Sequence, residues 1–273
     1  MKIISADERL KQHTGVKLAI FGKYGLGKTS LLKTLDEPTL CLDFEAGLLA
    51  VKDCWDGDVI SVRGWEEARE LACLLGKVSA GSPACYGFSN FCFNPAKYNY
   101  LDFSKYQCIF IDSITFASKL CLHWCKNQID PQLKKIEADK ANDERSKKLE
   151  RSDNWAIYGL LATEMSVWLN ILQHITDKDV IFVGLLDSST DSYNRMTWLP
   201  QIEGAKTTLE LPGILDEVIS MIPYKNEQGE IERKFVCKTI NRGGFPAKDR
   251  SGRLDEIEDA DLGKLLKKIK GGK

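Results

Sequence analysis

What the sequence lacks narrows its class first. No uninterrupted apolar run approaches the ~18 residues that cross a bilayer. The opening stretch MKIISADERLKQHTG has no apolar core of a secretory signal. Both absences lead us to expect a cytoplasmic protein with no membrane partner. No C-x-x-C pair occurs among the nine cysteines, an odd number scattered from Cys41 to Cys237, so reduced core thiols are expected rather than a disulfide framework. Cys121 and Cys125 lie one helical turn apart and read as a packed helix face, because a metal site there would need two ligands that the sequence does not place. A net charge of −1 argues against a surface coated with nucleic-acid-binding charge. There is no internal repeat and no Pro-rich linker. With 43% hydrophobic residues available for a core, residues 1–273 are read as a single globular domain.

What is present starts at Phe21–Ser30, FGKYGLGKTS. An apolar run of strand character, Val16 to Phe21, precedes it, and leucines at helical spacing (Leu31, Leu32, Leu35) follow. Gly22, Gly27, Lys28 and Thr29 match the phosphate-loop pattern G-x-x-x-x-G-K-[ST] in the strand–turn–helix context that it requires. The plain alternative is a glycine turn ahead of an ordinary helix. In a phosphate loop, backbone N–H groups of Gly22, Gly25, Gly27 and Ser30 close around phosphate, Lys28 reaches the β- and γ-phosphates, and the Thr29 hydroxyl holds Mg²⁺. ATP and Mg²⁺ are the expected ligands.

Along the chain, strand and helix patterns alternate, which predicts an α/β fold with a mostly parallel sheet flanked by helices. Strands are expected in PTLCLDFEAG, at 58–62, at 107–113 and at 179–186; DEVISMIPY and ERKFVCKTI around KNEQG form an antiparallel C-terminal hairpin. Residues 79–105 and the charged stretch 126–153 read as insertions or excursions, with a long helix from about Asn154 bearing Leu161, Met165, Trp168, Leu172 and Ile175 on one stripe. Residues 187–206 read as a polar loop. The stretch 233–253 carries seven basic residues against Asp249 alone, a local ribbon that either touches phosphates or is a solvated hairpin.

Binding is not hydrolysis, which needs further carboxylates. The strand CIFIDS delivers Asp112 at its C-terminal end, the Walker B form of Mg²⁺ ligand; the alternative is an acid that caps the following helix. Many ATPases place a glutamate next, to activate water, and here that position is Ser113. Asp43-Phe44-Glu45 ends another strand, so its carboxylates are expected at the sheet's carboxyl edge near the nucleotide.

CLDFEAGLLAV resembles the Asp-x-Glu segment of RecA recombinases and IFIDSITFASKL their strand–Asp–Ser segment, in RecA-like order after the glycine loop. DNWAIYGLL, LPGILDEVISM and PAKDRSGRLDE resemble phage-encoded, AAA-type RecA-like P-loop ATPases of single-strand annealing and recombination. The resemblance runs from Val16 onward and is looser toward the C-terminus. It implies a RecA-like ATPase core and the catalytic set Lys28, Asp112 and Glu45, with Glu45 positioning water. It also implies a DNA-binding loop at 187–206, where Tyr193, Arg195, Trp198 and Lys206 supply stacking faces and phosphate contacts, and cations Lys238 and Arg242 that reach a neighbour's γ-phosphate. Its implied partners are single-stranded DNA, further copies in a ring or filament, and a single-stranded DNA-binding protein, in a host cytoplasm. Two features depart from the family pattern. Leu185-Leu186-Asp187 stands where a polar γ-phosphate sensor is usual, and RecA's N-terminal polymerisation segment and C-terminal domain have no counterpart, so a filament does not follow. A nucleotide-switched loader or scaffold with slow hydrolysis, and a small-molecule kinase, are the competing functions.

Overall fold

The computed structural model describes residues 15–79, 87–128, 144–190 and 196–272, with Ser5 and Asp7, and only the backbone of 144–153. Its centre is a ten-stranded sheet. In chain order the strands are β1 (Lys17–Gly22), β2 (Thr39–Asp43), β3 (Asp58–Ser61), β4 (Cys108–Asp112), β5 (Asp179–Thr190), β6 (Met196–Pro200), β7 (Glu217–Lys225), β8 (Ile231–Val236), β9 (Lys248–Asp249) and β10 (Ile257–Asp259). The order across the sheet is β10-β8-β7-β1-β5-β4-β2-β3, with β6 on β5 and β9 on β7. The run β7-β1-β5-β4-β2-β3 is parallel throughout, and β6, β8, β9 and β10 pair antiparallel. The fold is therefore α/β with antiparallel C-terminal additions.

Burial explains the strand sequences. KLAIFG, TLCLD and CIFID are buried at every residue, as in parallel strands covered on both faces, whereas the edge strand β3 is mostly exposed. One face is covered by α1 (Trp65–Leu75), α2 (Ile114–Asn127), α3 (Glu144–Gln173) and α4 (Ala205–Ile214). The other packs against a six-residue 3-10 helix, Thr29–Thr34, and α5 (Leu262–Ile269). The predicted stripe Leu161, Met165, Trp168, Leu172, Ile175 is buried as a set. Of the described cysteines six are buried, and burial pushes the thiols of Cys41, Cys108, Cys121 and Cys237 upward.

Several expectations need correction. The helix expected between the phosphate loop and Pro38 is a 3-10 helix, Thr29–Thr34. The long helix is described already from Glu144, ten residues before Asn154 and within the predicted 126–153 excursion, of which 129–143 lies outside the described residues. The described residues of 187–206 are not all loop: β5 continues to Thr190, β6 pairs with it antiparallel, and α4 begins at Ala205, while 191–195 lie outside the described residues. The polar run Asp187–Thr190 hid a solvent-facing part of β5 and its antiparallel pairing with β6. Against the expectation of no apolar stretch of membrane length, Asn154–Gln173 is long and apolar enough to cross a membrane by length and composition. Its apolar stripe packs in the core, and its Glu164 is fully buried, accepting from Trp65 Nε1 and Ser89 N and pairing with Arg69 at 3.6 Å.

Candidate nucleotide site at the carboxyl edge of the sheet

The glycine loop leaves β1 at Gly22 and enters the 3-10 helix at Thr29. At Gly22 a Cβ would stand 2.9 Å from the Met221 carbonyl, so only glycine allows this approach of β1 to β7. Gly25 and Gly27 have φ of +76° and +79°. Lys28 Nζ donates to the Gly22 and Lys23 carbonyls, each at 3.0 Å, which folds the ammonium across its own loop. Burial lowers the Lys28 pKa, against the attraction of the Glu45 and Asp112 carboxylates. The Ser30 hydroxyl lies beside Gly27.

β4 is separated from β1 by β5 alone, and at its C-terminal end Asp112 meets the loop. Thr29 Oγ1 donates to Asp112 Oδ2 at 2.6 Å. Asp112 is buried, which pushes its carboxyl up to about 6; the Thr29 hydrogen bond opposes this, and the Glu45 and Asp43 charges add to it. The Thr29 hydroxyl and the Asp112 carboxylate are hard oxygen donors, which suits Mg²⁺ held by one or two protein groups plus substrate phosphates. Among the described residues no three His, Cys, Asp or Glu side chains gather to hold a metal by themselves. A cation here would take its remaining oxygens from phosphate and water.

β2 lies beside β4, and Asp43 pairs with Asp112 in register. Asp43 Oδ1 accepts the N–H groups of Glu45 at 3.1 Å and Gly47 at 3.4 Å, closing a turn in which Ala46 takes φ +55°. That turn presents Glu45. Ser113 Oγ donates a short hydrogen bond to Glu45 Oε1 and accepts Phe116 N–H at 3.3 Å as the N-cap of α2. The residue that stands where a glutamate was sought thus holds a glutamate delivered by the neighbouring strand.

The two strands that flank β1 both run past the edge. Gly22 is level with Leu185 of β5 and Met221 of β7, and these strands continue to Thr190 and Lys225 before returning as β6 and β8. At the first, Trp198 stacks on Phe245 with ring centroids 5.0 Å apart, and Lys23 Nζ of the glycine loop sits 4.9 Å from the Trp198 ring. At the second, Arg233 Nη1 reaches Leu26 O at 3.5 Å. At the sensor position Leu185 is bonded through its backbone, its N–H to Thr115 Oγ1 and its carbonyl to Gln201 N–H.

The structure therefore brings Gly22, Gly25, Gly27, Lys28, Thr29, Ser30, Asp112 and Glu45 to one edge. Tyr193 and Arg195 lie outside the described residues. Lys206 is exposed on α4 and pairs with Glu210 at 3.8 Å. Lys238 is engaged by the buried Asp249 at 2.7 Å, while Arg242 is exposed and, among the described residues, has no carboxylate partner. Most of the basic ribbon is engaged in place: Lys234 on Asp259 and Glu232, Arg250 on Asp216, Lys248 on the Pro212 and Leu215 carbonyls, Arg253 on the Ile269 carbonyl. Lys23 and Ser113 are site residues that the sequence reading did not assign, and Arg233 was read only as one of the seven cations of the 233–253 ribbon. For Arg233 the available signal was strand alternation, which sets it on the same face of β8 as the buried Phe235.

No curated protein matches the chain. A family model described as an AAA domain matches residues 14–251, from just before β1 through the end of β9. With its glycine loop, Thr29–Asp112 pair and parallel sheet, the chain belongs to this AAA-domain family of P-loop ATPases.

Proposed function

We propose that the chain is a Mg²⁺-dependent ATPase of RecA-like type, acting on single-stranded DNA in phage recombination, annealing or replication. The observation that carries the hydrolytic part is Glu45, clamped by Ser113 beside the Thr29–Asp112 pair. In this reading Lys28 takes charge from the β- and γ-phosphates, and Thr29 and Asp112 hold the cation, which when bound neutralises phosphate oxygens. Glu45 orients the attacking water and accepts its proton as the bond from the γ-phosphorus to the bridging oxygen breaks, leaving ADP and inorganic phosphate. A glutamate delivered by the end of the strand beside Asp112 suits a water nucleophile, which favours hydrolysis over phosphoryl transfer to a small molecule.

The DNA part is supported by the β5–β6 hairpin, which rises beside the glycine loop and shares with it the Lys23–Trp198 contact. Further copies of the chain and a single-stranded DNA-binding protein are the other partners in this reading. A second reading, a nucleotide-switched loader or scaffold with slow hydrolysis, draws support from Trp198, whose ring is engaged by Phe245 and Lys23, and from the paired cations of 233–253. The test is the ATPase rate with and without single-stranded DNA, with electron microscopy of the same mixtures. A rate that rises with DNA and falls back with salt supports the first reading; weak hydrolysis indifferent to DNA supports the second.

A further inference from the structure

Seven cations lie between residues 233 and 253, and five of them are engaged by carboxylates or carbonyls on the body of the fold. Arg233 is placed differently. It is exposed, has no carboxylate partner among the described residues, and leans over the glycine loop, with Nη1 3.5 Å from Leu26 O, at the outer limit of a hydrogen bond. Gly27 makes the approach possible: a Cβ there would lie 2.6 Å from Arg233 Nη1. The side chain's base is rigid, since Arg233 pairs with Pro223 across β7–β8 and Phe235, two residues on, is fully buried.

We propose that Arg233 is a phosphate ligand in cis, binding the β- or γ-phosphate oxygens of a nucleotide held by its own chain's loop, opposite Lys28. The inference rests on the nucleotide-binding reading of that loop. A guanidinium offers five donors in a planar fork that suits phosphate, and one long contact to a carbonyl uses little of that capacity. Phosphate oxygens beside Leu26 and Gly27 would bind the fork through charge-assisted bonds stronger than the one it now makes. This assigns the cationic role within one chain to β8, separately from the Lys238 and Arg242 positions in the following segment.

The test titrates a fluorescent ATP analogue and ADP into the parent protein, Arg233→Ala, Arg233→Lys and Lys28→Ala, with melting curves for each. Arg233→Ala is expected to weaken triphosphate binding about ten- to hundred-fold, the usual consequence of losing a charged hydrogen bond. Arg233→Lys should recover part of the loss, keeping the charge without the fork, and it carries the test if the alanine variant melts early. Mixing Arg233→Ala with Lys28→Ala should restore no turnover. Parental affinity in Arg233→Ala, with binding lost in Lys28→Ala, overturns the assignment while leaving the loop reading intact. Turnover regained on mixing overturns it in favour of action across subunits. A parent protein that binds neither nucleotide overturns the loop reading and Arg233 with it.

Discussion

Ser113 donates its hydroxyl hydrogen to the carboxylate of Glu45, and the two meet because β2 and β4 are adjacent, with Asp43 in register with Asp112. The same hydroxyl caps α2, so the helix start and the candidate catalytic carboxylate are fixed by one atom.

Glu45→Gln preserves shape but removes the charge that orients water. We expect nucleotide binding to persist while turnover falls roughly 10²-fold or more. Ser113→Ala leaves the charge and frees the carboxylate to swing, so turnover should fall about tenfold, with stability reduced by about 1 kcal/mol from the lost cap. Phosphate-release rates and melting curves measure both. Parental turnover in Glu45→Gln would move the base role to Asp43 or a partner.

Lys28→Ala should remove most ATP affinity and all hydrolysis while the fold survives, because the hydrogen bonds of this side chain go to two carbonyls of its own loop. Nucleotide titration alongside a melting curve decides it, and turnover at the parental rate would sink the site.

Glu217 predicts a pH dependence of stability. It is buried on β7 opposite Asp249, and burial pushes its carboxyl from an ordinary 4.5 up to about 7, helped by the Asp249 charge and opposed by the Ser251 and Arg250 N–H groups. A folded-state pKa above the unfolded one means that the native chain holds the proton more tightly. Its contribution is therefore complete below pH ~4.5, declines as pH rises through about 7, and is flat above. Asp249, held down at about 2 partly by Lys238 and Ser251, loses its contribution only in strong acid, well outside that window. Melting temperature should drop by a few degrees between pH 5 and 7.5, and Glu217→Gln should flatten that part of the profile. An equal slope in both proteins would place the proton elsewhere.

Trp198→Ala removes the stack on Phe245 and the cation contact of Lys23. Stability should fall by about 0.5–1.5 kcal/mol from the aromatic pair alone. If single strands reach the β5–β6 hairpin, oligonucleotide binding should be salt-sensitive, with a slope of about −0.7 per neutralised phosphate. It should also weaken by roughly 1–3 kcal/mol in this variant where a base stacks on the ring. Titrations at several salt concentrations, with ADP and with a non-hydrolysable ATP analogue, test both. A variant that loses stability yet binds DNA like its parent assigns Trp198 to packing.

The parts that local geometry encodes could be read along the chain. A buried strand, glycines with positive φ and a Lys-Thr pair are contiguous, so the phosphate loop was legible from residues 16–35 alone. Asp112 and Asp43 were legible as acids ending apolar strands, and the burial of α3 followed its 3.6-residue stripe. Which distant ends meet depends on the order of the strands in the folded sheet. Ser113 reaches Glu45, Arg233 reaches Leu26 and Trp198 reaches Phe245 across 68, 207 and 47 residues of chain, contacts set by the order β8-β7-β1-β5-β4-β2. Periodicity reports which face of an element is buried but not which element lies beside it. The β5–β6 pairing and the pairing of the 233–253 cations escaped notice for the same reason: a polar strand rising into solvent reads like a loop, and a basic residue reads alike whether it faces water or a carboxylate brought to it by the fold.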